Sequence, residues 1–258
     1  MSVASQYLAL GRRSVMTTLR QPTSIVPSFT FPLLFLAMTS AALARAVDLP
    51  GFPEADSYLQ FAIATTMVQG GLFGSIAAGA AMATDIESGF FDRLVASPVS
   101  RLSILLGRLA GSATIAFVQT WWFFLLTSIF GLRVEGGLIA VLAISIVVTM
   151  FASGVASLSV TIALRTGSAE TVQGSFPLLF SLLFVSSAFF PRALMDGWFK
   201  TVAGINPLSH MIESLRALVI DDFQISEFFT AAALGGGLFL IGITSAALAL
   251  RHRLALSS

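Results

Sequence analysis

Long apolar blocks separated by short charged intervals dominate this chain. Six stretches, near residues 24–44, 59–83, 102–130, 138–164, 171–190 and 228–250, are predominantly apolar. Each reaches the ~20 residues that a helix needs to cross ~30 Å of hydrocarbon. None shows the two-residue alternation of a barrel strand, and inside lipid every backbone N–H and C=O must pair within its own segment. The pattern predicts an all-α polytopic membrane protein with six transmembrane helices. Residues 24–258 form the membrane domain, and residues 1–23 stand apart as an N-terminal helix.

Three segments outside the blocks are unusual. On a helical wheel Leu8, Val15 and Leu19 of the N-terminal segment fall close together, while Gln6, Arg13, Thr17 and Arg20 gather on the far side. An amphipathic helix at the cytoplasmic interface is expected, with Arg12 and Arg13 among its cations; a plain positive flank that orients the first span would read the same way. Between the second and third blocks charge returns abruptly, and Phe90, Phe91 and Leu94 recur at helical spacing. A short cytoplasmic helix over about 86–97 is predicted, ended by Pro98. Its phenylalanines either pack on the chain's own helix ends or dock on a partner. Residues 191–227 hold two apolar segments too short to span, 194–205 and 208–220, separated by Asn206-Pro207. They read as a helical hairpin re-entering the outer leaflet, or as two surface helices anchored by Trp198.

Composition agrees. Of 258 residues 56% are hydrophobic and 10% charged, against the roughly 25–35% charge of a soluble surface. With the N-terminus inside, nine of the fourteen Lys and Arg residues fall on the cytoplasmic side and five outside, as the positive-inside rule requires. Both termini are then cytoplasmic. A net charge of +1 with no basic block gives nothing to recruit nucleic acid. Cysteine is absent, so disulfides and thiolate chemistry are excluded.

Catalytic and metal signatures are missing: there is no Walker A motif, no H-E-x-x-H and no G-x-S-x-G, and the histidines are His210 and His252. No catalytic or metal residue is assigned. Ionisable residues deep in the spans would suggest an ion-coupled carrier, but Asp85, Arg108, Arg165 and Glu170 sit at span ends, leaving amides such as Gln69, Gln119 and Gln173 inside. His210, Glu213 and Arg216 share one helix face, read as a Glu213–Arg216 ion pair beside a helix-start histidine, with a metal or substrate site as the alternative. Phe176, Phe180 and Phe184 form an i, i+4 stripe that packs, meets lipid, or lines an apolar substrate path. Gly70/Gly74 and Gly107/Gly111 mark sites where helices approach closely.

The run Asp85-Ile-Glu-Ser-Gly-Phe-Phe-Asp-Arg-Leu-Val-Ala-Ser-Pro-Val-Ser-Arg101, followed by Leu106-Gly-Arg108, resembles the signature of ABC-2 type transporter permeases, the class that includes daunorubicin-resistance-like exporters. Asn206-Pro-Leu-Ser-His-Met-Ile-Glu-Ser-Leu-Arg216 is similar to that family's second shared segment. The resemblance implies an exporter subunit in a bacterial plasma membrane, moving an amphiphilic or lipid-like substrate. Two permeases, identical or sister chains, would pair with two ABC ATPase subunits that carry ATP and magnesium, and this chain would bind no cofactor of its own. It implies that the N-terminal helix (Leu8, Arg12, Arg13, Val15, Leu19) and a coupling helix (Glu87, Phe90, Phe91, Asp92, Arg93, Leu94) meet that ATPase. Membrane lipids are the other expected partners. The competing readings are an ion-coupled secondary carrier and a non-transporting membrane scaffold.

Overall fold

A computed structural model describes residues 3–20, 22–97 and 99–257. The described residues are helical, without strands. Helix α1 (Val3–Leu19) leads into α2 (Pro22–Ala42), a 3₁₀ turn (Ala44–Asp48), α3 (Tyr58–Glu87), the short α4 (Phe90–Ala96), α5 (Arg101–Ile129) and α6 (Gly137–Thr166). There follow α7 (Ala169–Gly174), α8 (Phe176–Phe184), a 3₁₀ turn (Arg192–Leu194), α9 (Gly197–Ile205), α10 (Pro207–Ile220) and α11 (Ile225–Ser257). Among the described residues five helices, α2, α3, α5, α6 and α11, are long and apolar enough to cross a membrane.

Local chemistry sets the boundaries. The hydroxyls of Ser57, Ser100 and Ser168 accept the N–H groups of Gln60, Ser103 and Thr171, capping α3, α5 and α7. Asn206 caps α10 through Leu208 N–H, with Pro207 at the first helical position where its missing N–H does no harm. Gly167, in the left-handed region at φ +67°, ends α6. Many hydroxyls within the long helices fold back onto carbonyls one turn earlier, as in Thr66 to Ala62, Thr120 to Ala116 and Thr161 to Ser157, and so enter the apolar interior already paired.

Helix α6 is central, packed along α3, α5 and α11, while α10 plugs one end against α3, α6 and α11. Close backbone approach at small residues makes this possible. A Cβ on Gly79 of α3 would lie 2.6 Å from the Ser159 backbone of α6, and one on Gly242 of α11 would lie 2.7 Å from the Gly154 carbonyl oxygen. Gly70 abuts Gln119 and Phe123 of α5, and Gly107 abuts Leu10 of α1, so both glycine pairs singled out above are contact points.

Two expectations are corrected. Residues 171–190 do not form one continuous span: the helix breaks at Gly174-Ser175, and residues 185–190 are not helical. Pro177, at the second position of α8, cannot donate to the preceding turn, and Ser175, Ser186 and Ser187 offer the backbone alternative partners. Nor is 86–97 one helix. Gly89, at φ +68°, separates the end of α3 from α4. Pro98, expected as the stop, lies outside the described residues, and Ser97 before it is already extended.

Candidate coupling surface and transmembrane path

At one end of the bundle three helices meet on a single carboxylate. Asp85, in the last turn of α3, forms an ion pair with Arg108 of α5 and lies 3.5 Å from the Arg13 guanidinium of α1. Ser14 of α1 donates to the Arg108 carbonyl at 2.8 Å, and the Gln6 side-chain oxygen accepts from Ser100 N–H at 3.0 Å. Helix α1 is therefore fixed along the start of α5 by charge, hydrogen bonds and the Leu10–Gly107 contact. Its apolar ridge points elsewhere: Leu8 is 67% and Leu19 54% exposed. Val15 is half-buried and Arg12 exposed. A ridge that covers no protein suits an interfacial helix.

Helix α4 sits beside this clamp. Adjacent residues on a helix point about 100° apart, and the two phenylalanines divide accordingly. Phe91 is 2% exposed within a core of α3, α5, α6 and α11 residues, and Leu94 packs on the same cluster. Phe90 is half-buried with the Arg13 guanidinium 3.9 Å above its ring and Arg93 at 5.9 Å. Of the two readings open for these phenylalanines, Phe91 takes the first and packs on the chain's own helices, and the exposed residues of α4 are Asp92, Arg93 and Ala96. Glu87 accepts from Ala169 N–H at 3.1 Å, tying the end of α3 to the start of α7.

The stripe Phe176, Phe180, Phe184 belongs to a longer aromatic ladder. Phe176 stacks on Phe180 at 5.2 Å, and Phe180 meets Phe184 edge-on at 5.2 Å. Phe73 of α3 touches Phe176 at 4.7 Å, Phe31 of α2 touches Phe73 at 4.9 Å, and Phe35 and Phe184 both meet Phe189. The spacings are those of favourable offset and edge contacts. Phe31 and Phe184 remain exposed along the ladder.

At the opposite end α10 is buried, with Met211, Ile212, Leu215, Leu218 and Val219 all inside. In α9 Trp198 and Ile205 stay exposed. The Glu213–Arg216 pair is not formed, which is a further correction. Glu213 is held by two guanidinium nitrogens of Arg192, Nε and Nη2, and Arg216 turns inward, its guanidinium 3.5 Å over the Phe61 ring. Arg216 donates to the carbonyls of Phe61 (3.0 Å), Ser187 (3.0 Å) and Ala188 (3.3 Å). Tyr58 and Thr65 donate to Phe189 and Ala188, and Asn206 donates to Leu182 and Val185. Four residues, two of α3 and two of α10 and its cap, thereby satisfy the carbonyls that the broken helix leaves open. His210 contacts the Gly204 carbonyl at 2.8 Å. Among the described residues no group of acids and histidines is arranged to hold a metal.

Asp85, Arg108, Tyr58, Thr65 and Arg216 carry these two centres; sequence reasoning assigned the first four no site role and placed Arg216 with Glu213 and His210 instead. The return of charge at Asp85 was the available signal for the first centre; the second had none, because its acceptors are main-chain atoms.

Comparisons with known proteins identify the family. The family model described as ABC-2 type transporter matches residues 5–220, from α1 through α10. A daunorubicin resistance ABC transporter permease protein of Streptomyces coeruleorubidus is 27% identical over 208 residues, 80% of this chain and 72% of that protein. A protein named for the transport permease ycf38 of Porphyra purpurea is 27% identical over 229 residues, 87% of this chain and 78% of its own. The matched region contains the Asp85 clamp, α4, the aromatic ladder and the buried arginine of α10, and the chain belongs to the ABC-2 type transporter family as a membrane-spanning permease subunit.

Proposed function

We propose that the chain is the membrane half of an ATP-driven exporter of amphiphilic substrates, powered by a separate ATPase subunit that docks where α1 and α4 converge. The observation that carries the reading is the Asp85 clamp. A force on the exposed Asp92 and Arg93 of α4 reaches α3 through the Phe91 core contact, and Asp85 passes it to α5 and α1. Glu87 extends the linkage to α7, the start of the aromatic ladder. In this reading the end with α1 and α4 is cytoplasmic, and α7, α8 and the following non-helical residues complete a sixth crossing. At ~1.5 Å per residue their fifteen helical residues supply about 22 Å of the ~30 Å required, with Ser175 and residues 185–190 the remainder. Two copies would face each other across the exposed edges of α2 and α8, and the phenylalanines would offer planar apolar substrates a continuous surface between them. The S. coeruleorubidus relative, named for daunorubicin resistance, supports a role in drug export. The buried ion pair and arginine are engaged internally, which favours this reading over an ion-coupled carrier.

Copurification of the ATPase subunit and substrate-stimulated ATP hydrolysis test the proposal with Asp92→Arg and Arg93→Glu. Both residues are exposed, so folding should persist while retention of the partner and stimulation fall at least tenfold. Full retention and stimulation in both variants would remove α4 as the coupling element.

A further inference from the structure

A cavity of roughly 620 Å³ opens between the ends of α6 and α11 on the α4 side of the bundle, lined by Leu164, Arg165, Leu248, Ala249, His252 and Arg253. We propose that it binds the headgroup of an anionic phospholipid. Depth is the first argument. The apolar run of α11 continues to Leu250 and gives way to Arg251, His252 and Arg253, so the cavity lies where the span leaves hydrocarbon and phosphates begin. This placement requires only that α6 and α11 cross the membrane and is independent of how the partner ATPase docks.

Its wall has two characters. Leu248 is 57% exposed, and about two turns deeper Leu240 and Ile241 are also bare, giving an acyl chain an apolar track. Above them stand two guanidiniums and an imidazole. Charge is the second argument. The ion pairs among the described residues are Arg13–Asp85, Arg108–Asp85 and Arg192–Glu213, and none involves Arg165, Arg251 or Arg253. The third is preorganisation. Arg253 donates one N–H to the Leu164 carbonyl at 3.0 Å, a carbonyl in the last turn of α6. That bond fixes the guanidinium at the cavity edge with further donors free, the geometry suited to phosphate oxygens. The volume falls within the ~300–1,000 Å³ of pockets that bury small ligands. Basic pockets between helices at a membrane face select anionic over zwitterionic headgroups.

The test uses the full-length chain in detergent, titrated with phosphatidylglycerol, phosphatidylcholine or inorganic phosphate and read by native mass spectrometry. Phosphatidylglycerol should bind selectively and resist millimolar phosphate. Arg165→Gln, which removes an exposed cation with no internal bond, should weaken it about fivefold, and Arg165→Gln with Arg253→Gln about 25-fold, from ~1 kcal/mol per arginine at headgroup depth. A photoreactive phosphatidylglycerol should label residues of 164–165 or 248–253. Unchanged affinity in Arg165→Gln, equal binding of phosphatidylcholine, displacement by free phosphate, or labelling confined elsewhere would each overturn the assignment. So would loss of ATPase copurification in Arg165→Gln with lipid binding intact, since the cavity would then be a protein contact.

Discussion

The side-chain amide of Gln119 in α5 donates to the main-chain carbonyl of Ser28 in α2. That carbonyl has no helical donor, because the residue one turn on is Pro32. Gln119 is 2% exposed and Ser28 1%. A proline that would otherwise leave an orphan acceptor in lipid is matched by an amide from the neighbouring span, and the match fixes α2 against α5.

Gln119→Leu should therefore destabilise the chain by about 1–3 kcal/mol, the penalty of one unsatisfied buried carbonyl. Pro32→Ala in the same chain should recover most of that loss, because residue 32 then supplies the N–H that Ser28 lacks. Thermal unfolding of the two single variants and the double variant checks the coupling. Equal melting of Gln119→Leu with and without Pro32→Ala would show that the amide acts otherwise.

The glycines of α3 should divide sharply. Gly79→Ala puts a methyl 2.6 Å from the Ser159 backbone, whereas at Gly74 the nearest atom, Ile115 Cγ2, is 3.7 Å away. Forced separation of α3 and α6 should lower stability by about 1–3 kcal/mol. Gly74→Ala should be neutral or gain up to ~1 kcal/mol from helix propensity. Comparing the melting of the two purified variants decides it.

Arg216 and Glu213 stand three residues apart and should behave very differently. Arg216→Leu strips three carbonyls of a buried donor and is expected to cost about 3 kcal/mol or more, reducing abundance in the membrane. Arg216→Lys should rescue little, since one ammonium cannot reproduce the forked geometry. Glu213→Gln breaks only the partly exposed pair with Arg192, worth under ~1 kcal/mol. Abundance and thermal stability of the three variants should rank Glu213→Gln well above the other two.

Orientation can be read by labelling, and the absence of native cysteine gives a clean background. Single cysteines at the exposed positions Asp48 and Asp222 should react with an impermeant thiol reagent in intact cells, and one at Ala96 should not. Reaction at Ala96 from outside would invert the topology.

Much of this architecture could be read directly. Length and apolarity marked α2, α3, α5, α6 and α11, and the Asn206-Pro207 pair marked the join of α9 and α10 because a cap and a helix-starting proline are local signals. The break at Gly174-Ser175 was also written locally, but in a run this apolar the composition of a span outweighed it. Glu213 and Arg216 show where local rules fail. Their spacing favours a pair on an isolated helix, yet Arg192 comes from a distant turn and the carbonyls that attract Arg216 exist only once α8 has ended. Phe90 and Phe91 were both legible as a docking surface, and only packing decided that Phe91 turns inward.

The open carbonyls between Leu182 and Phe189 have a consequence for how the protein is made. Their donors lie partly in α3, already synthesised, and partly at Asn206 and Arg216, which leave the ribosome later. Until α10 emerges, the segment after α8 cannot complete its hydrogen bonding, so its course is settled only retrospectively. Biogenesis of this region must then wait, with the nascent segment sheltered by the insertion machinery or held at the aqueous surface, for a donor some thirty residues downstream.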